Sequence, residues 1–578
     1  MDILPDYKEL KKLSKNEIKN DTKTVKLALL SDSSTQLFAI SLQGMANYLN
    51  LKLEIHEVGY NQNEINIIDA GSDLYNFKPD FIIIHYCDKK MAENFHQLKF
   101  EDRSYFAKNK IKTIADNIDR IRDHSNAIII LNNYSIPMDR VFGSYSLNLK
   151  SSFSYQMIEL NSFLINFVSN NQNVLINNLV GLQNFNLNKN FNDNRLFYNL
   201  KNCYSFEALP VVAKSYLDLI LAARGILKKC LILDLDNTIW GGIIGDDGYE
   251  NLKIGDSGVG RVFSEIQSWA KSLKERGIIL AICSKNSEDV AKIPFLIHPD
   301  MVLSLDDISI FIANWESKAE NIRTIQSVLN IGFDSMVFVD DNPFERDLVR
   351  SELPELCVPE LPEDPCQYLD YLTRLNLFET TAVSTEDKSR TLMYQVEAKR
   401  IEEGKTFKTV DDFLNQLKME CVVEGFNSFN IPRVSQLTQR SNQFNLRTIR
   451  YSEAEITKFS ESDEYANFTF SLTDKYGEYG LVSVIILKKI NNELLFIDTW
   501  VMSCRVLKRT LENFIVNTLI EYAQKNNFKL LSGEFIPTPK NKLVENLYSE
   551  LGFQEVKGNW NLNPQSEKLR KTFINIKD

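Results

Sequence analysis

The feature that most constrains this chain is a recurring short run of apolar residues that stops on a polar or acidic one. It appears as KLALLS (26–31), LKLEIHEV (51–58), DFIIIHYC (80–87), AIIILNN (127–133), KKCLILDLDNT (228–238), IILAICS (278–284), MVLS (301–304) and SMVFVDD (335–341). Runs that are apolar at nearly every position, rather than at every second one, belong to strands buried on both faces, as in parallel sheets covered by helices. Helical periods separate the runs, so the expected fold class is α/β multidomain with two doubly wound units, over residues 1–225 and 226–378. The stretch 161–202 is rich in asparagine and reads as irregular, whereas Leu209 to Arg224 reads as a helix. Residues 379–408 form a charged helical connector, with Ser384 and Asp387 in capping-box spacing. From 409 to 578 the pattern is α+β: helix, strand, helix, antiparallel strands at 468–473, 480–488 and 493–501, a long helix from about Leu507 and a final αβ pair.

Composition narrows the function classes. No run of about 18 apolar residues occurs, and the start MDILPDYKELKK lacks a basic region followed by an apolar one. Neither a spanning helix nor a secretory leader is predicted, and a cytoplasmic location is expected. With 77 acidic against 66 basic residues the net charge is −11, which disfavours nucleic acid and anionic membranes as partners. Eight cysteines without a CxxC pair are expected to be reduced thiols, and five histidines argue against a His-rich metal centre.

The chemistry concentrates at strand ends. Asp234 and Asp236 stand at i and i+2 at the tip of an apolar strand, where open α/β sheets bind ligands. Ser284 ends a later strand, Lys318 opens a helix, and Asp340 with Asp341 ends another strand. One carboxylate of the first pair can attack phosphorus while the second donates a proton to the leaving oxygen and then activates water. The distal pair can hold Mg²⁺, and the Ser hydroxyl with the Lys ammonium can neutralise transferring phosphoryl oxygens. A DxD tripeptide alone is more often a solvated turn, but four such elements in this order reverse the odds.

This set resembles the haloacid dehalogenase (HAD) superfamily, with DLDNT, CSKN, WESK and VDDNPFER as its four motifs. The resemblance implies Asp234 as nucleophile, Asp236 as general acid and base, Ser284 and Lys318 as further catalytic groups, and Thr238, Asn286 and Cys283 beside the substrate. It implies Mg²⁺ held by Asp234, the Asp236 carbonyl and Asp340 or Asp341. More narrowly, LDLDNTIWGGIIGDDGYENLKIG, LTQRSNQFNLRTIRY (437–451) and WVMSCRVLKR (500–509) are similar to the FkbH-like, subfamily IIIC branch. That branch joins an SGNH-hydrolase-like region, a Rossmann-like HAD domain and an acetyltransferase-like (GNAT) region. The stretch from Asn237 to a helix start at Gly258 is too short for a large cap, and Trp240, Gly241 and Gly242 would begin a flap over the site.

The flanking regions read as less active. Ser31-Asp32-Ser33 stands where an SGNH hydrolase carries its nucleophile, with Asn132, Asn133 and Gly143 loosely placed for its other motifs. No histidine has an Asp three residues before it, so the base is missing and a degenerate scaffold is expected. In the last region acetyl-CoA or CoA is the candidate ligand, with Asn442, Gln443 and Asn445 as possible lining. Lys508 and Thr510 replace the family's glycines where backbone N–H groups would meet a pyrophosphate, which points to lost binding.

The sequence thus predicts a Mg²⁺-dependent phosphatase acting through an aspartyl-phosphate on a phosphorylated metabolite or carrier-bound substrate. The resemblance implies an alternative, glyceryl transfer from 1,3-bisphosphoglycerate to an acyl carrier protein, with Cys283 as an acyl relay. A non-catalytic assembly module is the third reading, weakened by the complete motif set.

Overall fold

The computed structural model describes the chain except residues 1–3, 19–23, 187–189, 384–389, 405–406, 408, 442, 539 and 578. The capping spacing expected of Ser384 and Asp387, and Asn442 of the last region, lie outside the described residues. The chain forms two compact units, one up to Leu221 and the other from Ala222 onward.

The first unit carries a five-stranded sheet: β1 (Val25–Ser31), β2 (Leu53–Glu57), β3 (Phe81–His85), β4 (Ile128–Asn132) and β5 (Val174–Asn177). Every pairing is parallel, in the order β2-β1-β3-β4-β5. β3 is buried at all five residues, as its unbroken apolar run requires. Among its described residues the asparagine-rich stretch is largely regular. A helix over Phe153–Ser169 buries Leu160 and Leu164, and β5 and two further helices follow. Its asparagines act as clamps and caps. Asn161 bonds both the N–H and the C=O of Tyr134, and Asn178 caps the helix Leu179–Phe185. The expectation of reduced thiols fails at one pair: Cys87 and Cys203 are bridged, with Cα atoms 6.0 Å apart, because the fold brings together positions 116 residues apart.

The second unit holds two sheets. The first is four-stranded and parallel, from β6 (Cys230–Leu233), β7 (Ile279–Ser284), β8 (Ile310–Ala313) and β9 (Met336–Val339), in the order β8-β7-β6-β9. The chain steps outward from β6 to β8 and then returns to the other side of β6, so the tips of β6 and β9 flank a topological switch point. The helix Gly258–Glu275 shows why a helix covers this sheet: Phe263, Ile266, Ala270 and Leu273 recur at helical spacing and all are buried. The strand expected at 301–304 does not form. The backbone N–H groups of Val302 and Leu303 are taken by the Gln267 side chain at 2.9 and 3.1 Å, and β8 lies further on.

The other sheet is mixed: β10 (Met419–Glu424), β11 (Tyr465–Asp474), β12 (Gly477–Lys489), β13 (Leu494–Met502), β14 (Leu530–Gly533), β15 (Gln554–Val556), β16 (Asn559–Leu562) and β17 (Ile574–Ile576). β10 to β13 pair antiparallel, whereas β13 and β14 are parallel and joined through the helix Leu511–Lys525. That helix starts later than the expected Leu507, because Lys508 and Thr510 adopt positive φ of 61° and 62°. Left-handed non-glycine residues interrupt a right-handed helix. The connector helix, Arg390–Gly404, is anchored by charge where apolar residues are sparse: Arg400 pairs with Asp474 at 2.8 Å and Glu397 with Arg509 at 2.5 Å.

Candidate active site

The four acidic and polar motifs converge at the C-terminal tips of β6, β7 and β9. Asp234 directly follows β6 and Asp340 directly follows β9; the Asp234 N–H donates to the Val339 carbonyl at 3.0 Å, which holds the two tips level. Lys318, first residue of the helix Lys318–Leu329 beyond β8, sends its ammonium between them, 3.1 Å from Asp234 Oδ1 and 2.5 Å from Asp340 Oδ2. The contact with Asp234 is the longer of the two ion pairs that Lys318 makes. Ser284, the last residue of β7, stands near enough to draw the pKa of the Asp234 carboxyl downward, and its Oγ accepts from the Asn286 amide at 3.2 Å.

The electrostatics follow from crowding. Burial raises the Asp234 and Asp340 carboxyls against the opposing pull of Lys318. Burial, with the Asp234 charge beside it, raises Asp341 to about 6. Burial alone would weaken the Lys318 ammonium, but Asp234 and Asp340 outweigh it and hold the group above the usual lysine range. Three carboxylates therefore face one cation. Asp234, Asp340 and Asp341 each bring an oxygen within 4.8 Å of the others, and a hard all-oxygen donor set of net negative charge fits a divalent cation such as Mg²⁺.

Asp236 is held differently. Its Oδ1 accepts from the Trp240 indole at 2.9 Å and from the Ile244 N–H at 3.0 Å, and its Oδ2 accepts from the Asn286 amide at 2.9 Å. Asn237, at φ 53°, turns the chain so that Trp240 folds back on Asp236, and the Asn237 side chain secures the turn by accepting from the Gly242 N–H. Trp240 is thus both a buried core residue and a positioning group. Between Asn237 and Gly258 the described chain has only a four-residue helix, Ile244–Asp247, and one 3-10 turn, so no cap domain intervenes.

Two of the residues expected beside the substrate, Thr238 and Asn286, brace the loops of the site. Thr238 Oγ1 accepts from the Asp341 N–H at 3.0 Å, and Asn286 also reaches Ser284 Oγ at 3.2 Å. Cys283 lies on the opposite face of β7 from Ser284, buried with Ile322 and Ile325, and burial pushes its thiol far above the ordinary range. A relay needs an accessible thiolate, and this thiol is neither. Sequence reasoning missed Arg346, which donates to the Asp340 and Asp341 carbonyls at 2.9 and 2.6 Å and pairs with Glu360. Its signal was the FER that closes VDDNPFER, one helical turn inside Pro343–Glu352.

Asn286 yields a test of positioning. Replacing it with Ala removes one charge-assisted bond to Asp236, a loss of about 1.5 to 3 kcal/mol, so turnover should fall roughly 10- to 100-fold. The KM for an aryl phosphate should stay within a few-fold, because substrate binding does not use that bond.

The first unit also has a switch point, between β1 and β3. There Ser31 pairs in register with His85, its Oγ 3.4 Å from His85 Nδ1 and 2.9 Å from Ser33 Oγ, while His85 Nε2 meets the Tyr204 hydroxyl at 2.6 Å. The histidine that the sequence could not supply by spacing is brought in by strand pairing. Burial lowers His85 to about 4, which leaves it a neutral imidazole. Ser31, Ser33 and His85 are all buried, and the cavity at His85 and Tyr204, about 30 Å³, has room for a water and not for an ester. Asn132 is buried in the same layer, accepting from the Tyr216 hydroxyl at 3.3 Å, while Gly143 opens a separate 3-10 turn. In the second unit Asn445 is a buried scaffold residue that accepts from the Thr448 N–H at 2.7 Å.

A parallel Rossmann-type sheet with this carboxylate–lysine cluster at its switch point defines a HAD-type phosphatase fold. Residues 26–221 match the family model described as FkbH, N-terminal domain. The crystal structure of the N-terminal part of the protein BF1531 from Bacteroides fragilis, containing a phosphatase domain complexed with Mg, is 45% identical, with a TM-score of 0.62; the match covers 65% of this chain and 99% of that one. The chain belongs to the FkbH-like family of HAD phosphatases. The Escherichia coli ribosomal-protein-S18-alanine N-acetyltransferase matches at 16% identity over 24% of this chain and 88% of its own, with a TM-score of 0.19. A Vibrio cholerae spermidine N-acetyltransferase in complex with CoA and spermine matches at 13% over 25% and 96%, with a TM-score of 0.21. Both lie below the level at which a shared fold would follow. No curated protein sequence matches the chain. No helix among the described residues is long and apolar enough to cross a membrane.

Proposed function

We propose that this protein is a Mg²⁺-dependent phosphatase that works through an aspartyl-phosphate at Asp234, on a phosphorylated metabolite or a carrier-bound phosphate ester. The observation that carries the reading is the Lys318 ammonium bridging Asp234 and Asp340 at the strand tips, with Asp236 oriented beside them by three donors. Mg²⁺ held by Asp234, Asp340 and Asp341 would supply positive charge for the phosphoryl oxygens, and the Bacteroides fragilis relative's phosphatase domain is complexed with Mg.

Asp234 attacks phosphorus with one carboxylate oxygen as the bond to the leaving oxygen breaks, and Asp236 delivers the proton that oxygen needs. In the second half, Asp236 takes a proton from water, which displaces Asp234 from phosphorus and releases inorganic phosphate. Lys318 and Ser284 contribute donors to the oxygens that gain charge during both transfers. The absence of a cap between Asn237 and Gly258 leaves room for a bulky or carrier-attached substrate.

The test is phosphate release from an aryl phosphate by the full chain. Release should stop on addition of excess chelator and return with Mg²⁺, and acid-quenched protein should carry a phosphoryl mass on the peptide containing Asp234. Metal-independent release with no such adduct would refute the reading.

A further inference from the structure

The loops that carry the phosphatase site also carry an apolar rim that the chemistry at Asp234 does not use. Trp315, Phe344 and Ile243 are 73%, 69% and 44% exposed. They come from three different loops, each of which also supplies a residue of the site. Trp315 lies between β8 and Lys318, Phe344 is the second residue of the helix that follows Asp340 and Asp341, and Ile243 sits in the flap between Asn237 and Gly258. In the order β8-β7-β6-β9 the strands leading to Trp315 and Phe344 are the outer two, about 14 Å apart at three strand spacings, and Asp234 follows β6 between them.

The backbone under each of the three is tied to the site. Asn314 and Asn321 exchange side-chain amide bonds at 3.1 and 2.7 Å, and the Asn314 N–H donates to the Ser284 carbonyl at 3.2 Å, which braces the loop of Trp315. The Phe344 N–H donates to Asn342 Oδ1 at 3.0 Å, while the Asn342 N–H donates to Asp340 Oδ1 at 2.8 Å. The Ile243 N–H donates to Asp247 at 2.8 Å, and its neighbours Gly242 and Ile244 donate to Asn237 and Asp236. A loosely held loop could fold its apolar side chains onto the core; these loops are fixed by the groups of the site, so their apolar area stays in water. A single exposed apolar residue is ordinary, but three on the loops around one polar centre mark a ligand surface.

The charge of the same loops narrows what covers that surface. Between Asn237 and Gly258 the flap has four carboxylates, Asp246, Asp247, Glu250 and Asp256, against one lysine, Lys253, and Glu316 adjoins Trp315. Lys285, on the loop after β7, is already paired with the buried Glu345 at 2.6 Å. A substrate with a second anionic group would set it against an acidic flap, whereas a neutral aromatic or aliphatic group meets Trp315 and Phe344 without that repulsion.

Resting on the phosphatase reading, we propose that Trp315 and Phe344, with Ile243, are specificity-determining residues, and that the substrate is a phosphate monoester whose organic part is uncharged and apolar or aromatic close to the phosphate. The phosphoryl group takes its place at Asp234 and Lys318, and the organic part lies against the rim. Aromatic side chains suit this role because they offer a large contact area with few rotors to freeze.

The test is calorimetric titration of the full chain in Mg²⁺ with three phosphonates, whose carbon–phosphorus bond is not hydrolysed: methylphosphonate, naphthylmethylphosphonate and 3-phosphonopropionate. Naphthylmethylphosphonate should bind roughly tenfold or more tightly than methylphosphonate, and 3-phosphonopropionate no more tightly than methylphosphonate. Trp315→Ala and Phe344→Ala should each cut the naphthyl advantage severalfold, and Trp315→Phe should keep most of it. Thermal unfolding should not change, because both side chains are exposed. Phosphate release from an aryl phosphate by the same samples tests the underlying reading separately: a naphthyl preference that both alanine variants reduce, without any release, would refute the phosphatase and uphold the rim as a binding surface. No naphthyl binding at millimolar concentration, equal affinity for the naphthyl and methyl probes, a naphthyl advantage indifferent to both alanine variants, or tightest binding of 3-phosphonopropionate would overturn the proposal.

Discussion

Asp234→Asn should abolish Mg²⁺-dependent phosphate release, with a loss of roughly 10⁴-fold or more, as removal of a nucleophile does in other covalent hydrolases. The amide keeps the shape of the carboxylate but has no lone pair basic enough to attack phosphorus. Asp236→Asn should fall by roughly 10²- to 10⁴-fold, the range of a lost general acid–base. The two variants should differ in kind. Asp234→Asn can form no phosphoryl adduct, whereas Asp236→Asn, given an aryl phosphate whose leaving group needs little protonation, should accumulate one because water is no longer activated. Near-normal turnover in Asp234→Asn, with contaminating phosphatase excluded, would end the aspartyl-phosphate mechanism.

Lys318→Ala should be as damaging to the fold as to the chemistry. Its ammonium is the cation between two almost fully buried carboxylates, Asp234 and Asp340. Removing one partner of a buried ion pair costs about 3 to 5 kcal/mol, because the remaining charges stay desolvated and face each other. Denaturant unfolding in chelator should show the loss. The sign of its pH dependence follows from burial, which already raises Asp234 and Asp340 even with the lysine present. Without Lys318 both should bind protons more tightly folded than unfolded, so the deficit should be largest near neutral pH and shrink on acidification. A deficit that grew as pH fell toward 5 would show that Lys318 does not offset these carboxylates.

Much of this site is legible in the amino-acid sequence, because each acidic motif terminates a run whose burial the residues themselves demand. CLIL before Asp234 and MVFV before Asp340 are apolar at every position, and all eight of those residues are buried. An apolar run that ends on aspartate places a carboxylate at a sheet edge, whatever the strand order. The same logic fails for MVLS at 301–304, where Gln267 competes for the backbone donors that a strand would have used. It fails for the asparagines of 161–202, whose side chains cap and clamp helices instead of loosening the chain.

The sequence by itself determined that two parallel sheets would form and that carboxylates would stand at their tips, because hydrophobic periodicity is local and each strand reports its own burial. Only the tertiary structure decided which tips meet. The order β8-β7-β6-β9 sets Asp234 beside Asp340 and brings Lys318 between them, and the register of β1 with β3 joins Ser31 to His85. The Trp240 and Asn286 clamp on Asp236 and the Arg346 anchor belong to the same class. Each joins groups whose meeting depends on the path of the chain between them, and that path is set by packing over long sequence separations, which no local pattern encodes.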